Sequence, residues 1–353
     1  MYKGLIAKYR KFLPVSKKTP RITLNEGNTP LIPLVNLPKE IGLKAKVYAK
    51  FEGANPTGSF KDRGMTMAVS KAVEEGSKVV MCASTGNTSA SAAAYAARTG
   101  IDCAVIIPEK ATALGKLSQA LMHGAKVFAL QGNFDEALKI VLEITNKYPV
   151  TLVNSLNPYR LEGQKTGAFE IIDELKEAPD YHFIPVGNAG NITAYWMGYK
   201  AYHMVEKCKK LPKMVGWQAA GAAPIVEKRI IENPQTVATA IKIGNPASWK
   251  MAESARDESG GIIDKVTDEE ITEAQKMIAS LDGIFCEPAS AASIAGIIKS
   301  HKNGIYNFTS DDTIVAILTG NGLKDPERAV EISEKPIVIE NDVQAVVSQL
   351  GLG

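Results

Sequence analysis

Short apolar segments alternate with helical patterns along most of this 353-residue sequence, and this alternation constrains the fold more than any other feature. The apolar segments occupy residues 79–82, 103–107, 126–130, 182–186, 214–217 and 313–318. The helical patterns between them cover residues 89–98, 114–123, 134–147 and 193–207. Nearly continuous apolar strands that alternate with helices predict an α/β fold, with a parallel sheet covered by helices on both faces.

Two regions depart from this alternation. Residues 236–261 contain glycine and proline with few sustained apolar repeats, so we expect mobile connections around short elements there. The last residues contain a strand-like segment at 335–339 followed by a short helix, which we expect to form a peripheral tail.

The charge and hydropathy of the chain exclude several classes of function. It has 41 lysine and arginine residues against 38 aspartate and glutamate residues, and this net charge of +3 does not suggest a nucleic-acid-binding protein. No apolar run approaches the roughly 20 residues that a membrane span requires. The N-terminus lacks the pattern of a secretion signal. We therefore expect a cytoplasmic protein.

The cysteine and histidine residues show no spacing typical of metal sites or disulfides. The cysteines are scattered, with no C-x-x-C pair: Cys82, Cys103, Cys208 and Cys286. The histidines show no H-E-x-x-H or similar pattern: His123, His182, His203 and His301. We expect no protein-bound metal and no catalytic cysteine.

Lys61 lies in a loop, residues 58–64, whose composition suits chemistry. Phe60 supplies an apolar surface beside Lys61, and Gly58 and Gly64 allow other groups to approach the backbone closely. A desolvated lysine loses its proton more easily and becomes a nucleophile that can form a Schiff base. The alternative is an ordinary surface lysine at the start of a helix. The loops farther along the chain favour the first interpretation.

A second loop, residues 83–89, consists of small and mostly polar residues between a predicted strand and a predicted helix. Such residues commonly cap a helix, so a simple N-cap is one interpretation. The loop has more hydroxyl and amide groups than one cap needs. A helix N-terminus with these groups binds a carboxylate well, so we assign the loop to an anionic end of the substrate. Asn87 is a candidate cofactor contact.

A third loop, residues 187–193, also connects an apolar strand to a helix, and it matches neither the dinucleotide-binding nor the Walker pattern. Its glycines allow backbone N–H groups to form a phosphate cradle, although glycine is also common in ordinary turns of this kind. A glycine-rich turn at residues 318–322 follows the last strand. Because these loops follow strands of one α/β fold, they can face a single crevice with Lys61. Together they match pyridoxal phosphate and an amino-acid substrate.

Four motifs occur in an order that resembles the tryptophan synthase β-like group of pyridoxal-phosphate enzymes. They are S-F-K-D-R-G at 59–64, S-T-G-N-T at 84–88, G-N-A-G-N at 187–191 and L-T-G at 318–320. Within that group the chain closely resembles the threonine synthases, from about residue 25 to residue 326. Related threonine dehydratases usually carry S-S-G-N-H in the second loop, and cysteine synthases S-G-N-T-G, and neither fits this sequence.

The resemblance implies a set of cofactor contacts. Lys61 would hold pyridoxal phosphate as a Schiff base beside Phe60, Asn87 would bond the ring hydroxyl, and Thr319 would meet the pyridine nitrogen. The cofactor phosphate would lie on Gly187, Asn188, Ala189, Gly190 and Asn191. A threonine brings no negative charge to the pyridine nitrogen, so the ring would be a weaker electron sink and proton transfer by Lys61 would matter more.

The resemblance also implies a reaction, the conversion of O-phospho-L-homoserine and water to L-threonine and phosphate in the final step of threonine biosynthesis. The substrate carboxylate would bind to Ser84, Thr85 and Thr88. The substrate phosphate would bind at a site that consists of Asn154, Ser155 and Arg160, with Lys116 as a further candidate. Arg160 could instead form a surface salt bridge. The alternatives for the whole protein are a threonine or serine dehydratase and a non-catalytic binding protein.

For the architecture, the resemblance implies two three-layer α/β domains of the tryptophan synthase β-like fold with the cofactor in the cleft between them. The smaller domain would comprise residues 53–157, and the larger would combine residues 1–52 and 158–330. Residues 331–353 would form the C-terminal tail. Enzymes of this group are commonly homodimers, so we expect a homodimer here.

Overall fold

The computed structural model describes residues 1–109, 114–132 and 134–352, which form two β-sheets flanked by helices. The strands are β1 (Leu31–Pro33), β2 (Lys46–Phe51), β3 (Val79–Ala83), β4 (Asp102–Pro108), β5 (Lys126–Leu130), β6 (Val150–Leu152), β7 (Tyr181–Pro185), β8 (Lys213–Ala219), β9 (Ile262–Val266) and β10 (Thr313–Leu318). The helices of the first half are α1 (Leu5–Lys8), α2 (Asn36–Glu40), α3 (Lys61–Glu74), α4 (Asn87–Thr99), α5 (Leu114–Met122), α6 (Phe134–Lys147), α7 (Pro158–Gln164) and α8 (Thr166–Leu175). Those of the second half are α9 (Gly190–His203), α10 (Pro224–Glu227), α11 (Trp249–Ser259), α12 (Asp268–Asp282), α13 (Pro288–Lys302), α14 (Pro326–Ile332) and α15 (Val343–Gln349).

The larger sheet has six strands in the order β1-β2-β10-β7-β8-β9. All of its strand pairs are parallel except β1 with β2, which is antiparallel. The smaller sheet has four strands in the order β5-β4-β3-β6, and all of its pairs are parallel. The predicted α/β fold with parallel strands is therefore confirmed.

The two sheets are formed by different parts of the sequence. The smaller sheet is built from strands within residues 79–152, inside the predicted smaller domain of residues 53–157. The larger sheet takes its strands from both sides of that range. The domain boundaries themselves stay a prediction. Among the described residues, no helix is long and apolar enough to cross a membrane.

The structure corrects the expectations for the two irregular regions. Residues 236–261 include the eleven-residue helix α11, whose buried face consists of Ala252 and Ala255, so its apolar pattern is too weak to recognise. Residues 335–339 form no strand, because they are exposed and pair with no other described strand. The short helix expected after them is α15.

Three predicted loops lie at the carboxyl ends of parallel strands. Residues 84–86 connect β3 to α4, residues 186–189 connect β7 to α9, and residues 319–321 follow β10. The loop before α3 lies against the last of these, because Ser59 forms an isolated β-bridge with Gly320. The fold thus brings segments from both sheets to one place, as ligand sites in α/β proteins require.

Candidate active site

Lys61 is the first residue of α3, and its loop is held on the end of β10. The Phe60 N–H donates to the Thr319 carbonyl oxygen at 2.9 Å, next to the bridge between Ser59 and Gly320. The Lys61 Nζ atom lies 4.1 Å from the centroid of the Phe60 ring. The predicted apolar surface beside the amine is therefore present.

The surroundings of Lys61 favour its neutral form. Burial lowers the pKa of its amine to about 7, and the nearby positive charge of Arg160 acts in the same direction. The carboxylate of Glu287 opposes this shift. A large share of the amine is then unprotonated near neutral pH, which a nucleophile that condenses with an aldehyde requires.

The second loop does not use its hydroxyl groups to cap α4. The N-cap residue is Gly86, which has no side chain to cap with, so the simple N-cap interpretation is wrong. Ser84 Oγ accepts from the Gly86 N–H at 3.2 Å. Thr85 and Thr88 are partly exposed, and their hydroxyls bond to no residue that the structure describes. These groups are available to a ligand at the N-terminus of a helix.

A buried carboxylate joins two of the expected cofactor contacts. Asn87 Nδ2 donates to Glu287 Oε2 at 2.9 Å, and Thr319 Oγ1 donates to Glu287 Oε1 at 3.2 Å. Ser290 Oγ lies 2.9 Å from Thr319 Oγ1. Burial raises the pKa of Glu287, which is only 4% exposed, while the Asn87 hydrogen bond opposes the rise. Asn87 and Thr319, which are far apart in sequence, thus lie at one carboxylate.

Glu287 and Ser290 were not among the site residues predicted from the sequence. The available signal was an acidic residue, Glu287, between the apolar segment 284–286 and the small residues of α13, which begins with Pro288. A charged residue between two buried segments needs a polar partner. The partner, Asn87, is 200 positions away in sequence.

The third loop has the shape of an anion cradle. Ala189 adopts a left-handed backbone conformation with φ of 63°, and Gly190 begins α9 directly after it. A Cβ atom on Gly187 would lie 2.9 Å from Ile241 Cα, so a larger residue would not fit there. The Asn191 carboxamide is buried, and neither its oxygen nor its nitrogen has a hydrogen-bond partner. Unpaired polar atoms at a helix N-terminus fit the phosphate of pyridoxal phosphate.

Arg160 is a buried cation on α7. It is 1% exposed, its Nη1 donates to the Val153 carbonyl oxygen at 3.2 Å, and its Nε has no partner. Burial lowers its pKa to about 10. Within the described ranges, no carboxylate forms a salt bridge with it. The surface salt bridge considered from the sequence is therefore wrong.

The other expected ligands of the substrate phosphate differ in their surroundings. The Asn154 carboxamide bonds to both the N–H and the carbonyl of Ala83, each at 2.9 Å, and so holds the end of β3. Ser155 is partly exposed beside it. Lys116 belongs to α5, but its side chain lies outside the described residues.

Burial keeps the thiols near the site in their protonated form. All four cysteines are buried. Cys82 and Cys286 adjoin the site, and burial raises the pKa of both thiols well above the usual range. In the part of the chain that is described, no group of three His, Cys, Asp or Glu side chains is arranged to hold a metal ion.

The chain matches a known family over most of its length. The family described as pyridoxal-phosphate dependent enzymes matches residues 22–320. A threonine synthase from Halalkalibacterium halodurans is 59% identical over 350 residues, which are 99% of this chain and 98% of that protein. The chain belongs to the threonine synthases, a branch of the pyridoxal-phosphate dependent enzymes.

Other relatives agree with this membership. The threonine synthase of Synechocystis sp. is 56% identical, across 99% of this chain and 91% of that protein. The one from Methanocaldococcus jannaschii is 53% identical, across 96% of this chain and 85% of that protein. Maize serine racemase shares the fold, with a TM-score of 0.74 at 22% identity, across 94% of this chain and 97% of that one. The resemblance and the cofactor inferred from the sequence are confirmed.

Proposed function

We propose that this threonine synthase converts O-phospho-L-homoserine and water to L-threonine and phosphate. The proposal follows from its threonine synthase relatives and from one feature of the site, the buried guanidinium of Arg160, which no carboxylate among the described residues neutralises. A buried charge without a partner is costly unless a ligand supplies the opposite charge. Because Arg160 is close enough to Lys61 to lower its pKa, that ligand would lie beside the reacting carbon atoms.

Arg160 distinguishes this reaction from that of a dehydratase. Threonine and serine carry one anionic group, the carboxylate, whereas phosphohomoserine carries a carboxylate and a phosphate. The hydroxyls of Ser84, Thr85 and Thr88 suit the carboxylate at the N-terminus of α4. A second cationic site is needed only if the substrate has a second anion, and the fork of Arg160 can bond two phosphate oxygens.

Lys61 would handle the protons of the reaction. When bound, pyridoxal phosphate supplies an electron sink that stabilises negative charge on the substrate carbons. With a pKa near 7, the Lys61 Nζ atom can accept the proton from the α-carbon and return one later. The uncharged hydroxyl of Thr319 and the carboxylate of Glu287 hold the ring contacts in place.

The test is a product assay with purified holoenzyme and O-phospho-L-homoserine. We expect threonine and inorganic phosphate in equal amounts. A 2-oxoacid formed from threonine or serine, without phosphate release from phosphohomoserine, would show a dehydratase. Retention of cofactor with no turnover of any of the three compounds would show a binding protein.

Arg160→Ala tests the phosphate site separately. We expect the KM for phosphohomoserine to rise by roughly 10-fold or more, because hydrogen bonds to a charged group are lost, while the cofactor affinity stays the same. Arg98→Ala, an exposed arginine on α4, is the control and should change neither quantity. Equal losses of substrate and cofactor affinity in Arg160→Ala would instead indicate a structural role.

We infer further that the enzyme acts in the cytoplasm as a homodimer. The location follows from the biosynthetic function proposed here, and the assembly from the resemblance to its family. Light scattering of the purified protein should give twice the mass of the 37.9 kDa chain, and a monomeric mass would refute the assembly.

A further inference from the structure

We propose that Ser248 is a ligand of the cofactor phosphate, in addition to the loop of residues 187–191. This inference rests on the proposed function only in that it concerns the same cofactor. Ser248 lies in the region 236–261, from which the sequence predicted no site.

The segment that carries Ser248 is attached directly to the phosphate loop. The Ser248 N–H donates to the carbonyl oxygen of Asn188 at 3.2 Å, and the Ala247 N–H donates to Asn188 Oδ1 at 3.2 Å. The side-chain oxygen of Asn188 is therefore bonded to this segment. The position of Ser248 relative to the loop is fixed by two hydrogen bonds to one residue.

The Ser248 hydroxyl does not perform the role that its position predicts. Ser248 is the N-cap residue of α11, where a serine side chain usually accepts a hydrogen bond from the first turn of its helix. Here it makes no such bond. It is 3% exposed, and its Oγ bonds to no other described residue. A hydroxyl without a protein partner can donate a hydrogen bond to a ligand that reaches it.

The hydroxyl faces the start of α9. A Cβ atom built on Gly190 would lie 3.6 Å from Ser248 Oγ. Gly190 is the first residue of α9, and the next residue, Asn191, has a buried carboxamide whose two polar atoms are also unpaired. Unpartnered groups from two different helices thus border the same loop.

The N-termini of α9 and α11 meet at this point. They have 14 and 11 residues, so each has a helix dipole with its positive end toward the loop. A phosphate dianion accepts several hydrogen bonds and is attracted by both dipoles. The geometry therefore suits a phosphate held by the backbone of the loop on one side and by the Ser248 hydroxyl on the other.

The test compares two forms of the cofactor on the apoenzyme. Ser248→Ala should weaken the binding of pyridoxal 5′-phosphate by roughly 10- to 100-fold, as expected for a hydrogen bond to a charged group. It should leave the binding of pyridoxal, which lacks the phosphate, unchanged. Ser254→Ala is the matched control, because Ser254 is an exposed serine on the same helix, and it should change neither affinity.

Equal weakening of both compounds, or of neither, would overturn the proposal. If Ser248→Ala does not fold, Ser248→Gly serves for the same comparison, because glycine is tolerated at N-caps. The ³¹P resonance of the bound cofactor should also shift between the wild type and the variant. No substrate is present in these experiments, so their outcome is independent of whether phosphohomoserine is turned over.

Discussion

The surroundings of Lys61 lower the pKa of its amine. Burial and the charge of Arg160 act against a proton on Nζ, while the carboxylate of Glu287 opposes them. The net result is a pKa of about 7, well below the roughly 10.4 of an exposed lysine. This difference has a measurable consequence in the apoenzyme.

We predict that the rate of cofactor capture by the apoenzyme is half-maximal near pH 7 and levels off about one pH unit above that. The unprotonated amine is the nucleophile, and a lowered pKa means that this form is already complete at moderately alkaline pH. The measurement is the growth of cofactor absorbance after mixing, from pH 6 to pH 10. A rate that still rises between pH 8 and pH 10 would contradict the shift.

Glu287 is the residue whose role the sequence did not reveal. We predict that Glu287→Ala lowers kcat/KM by roughly 10-fold or more, because the amide of Asn87 and the hydroxyl of Thr319 lose their shared acceptor. The absorbance maximum of the bound cofactor should shift as well. Glu273→Ala, an exposed glutamate on α12, is the control. Unchanged kinetics and absorbance would show that Glu287 does not position these groups.

The sequence predicts those site residues whose local pattern carries the signal. Lys61, Asn87 and the loop 187–191 follow strands or begin helices with unusual polar or glycine-rich composition. Glu287 and Ser248 have no such pattern. Their roles come from contacts with residues 200 and about 60 positions away, which only the folded chain brings together.

At the scale of elements, helices α3 and α7 approach each other closely enough to fix Lys61 relative to Arg160. A Cβ atom on Gly163 would lie 1.9 Å from the Arg63 carbonyl oxygen, and one on Gly64 would lie 2.9 Å from that of Arg160. Both contacts are with rigid backbone. Each helix therefore needs a glycine where it faces the other.

We predict that Gly163→Ala destabilises the protein by about 1–3 kcal/mol, because the backbones must separate to admit the methyl group. Activity should fall with it, since the same separation moves Arg160 away from Lys61. Urea unfolding measures the first effect and the product assay the second. Arg98→Ala, at an exposed position on α4, is the control. If Gly163→Ala were as stable and active as that control, the close approach would be refuted.

Elements with a continuous apolar pattern could be predicted from the sequence. Elements whose apolar pattern is interrupted by a charged residue could not. Strands β5 and β10 have the predicted bounds, because each is apolar at every position after its first residue. Strand β2 was missed because it contains Lys50, a buried lysine whose charge is neutralised by Glu170. Helix α9 ends at His203, four residues before the predicted end.

At the scale of the whole molecule, a buried ionic network joins α3 to the larger sheet. Arg63 Nε lies 2.7 Å from Glu52 Oε2, and its Nη2 lies 2.6 Å from Glu170 Oε2. Lys50 Nζ lies 2.9 Å from the same Glu170 oxygen. Although burial alone would raise the pKa of Glu170, these two cations hold it well below its usual range. The network ties the helix of Lys61 to residues outside the predicted smaller domain.

We predict that Arg63→Ala destabilises the protein by about 3–5 kcal/mol, because the carboxylates of Glu52 and Glu170 stay buried without this cation. Urea unfolding at neutral pH is the measurement. Lys8→Ala removes a partly exposed ion pair with Asp173 and should cost less than about 1 kcal/mol. Similar losses in the two variants would mean that the network contributes little to stability.

All of the proposed chemistry depends on covalent attachment of the cofactor at Lys61. Reduction of the holoenzyme with borohydride, followed by digestion and mass spectrometry, should yield a pyridoxyl adduct on the peptide that contains Lys61. Lys61→Ala should give no adduct, no Schiff-base absorbance and no turnover. An adduct on another lysine, or turnover retained in Lys61→Ala, would contradict the account.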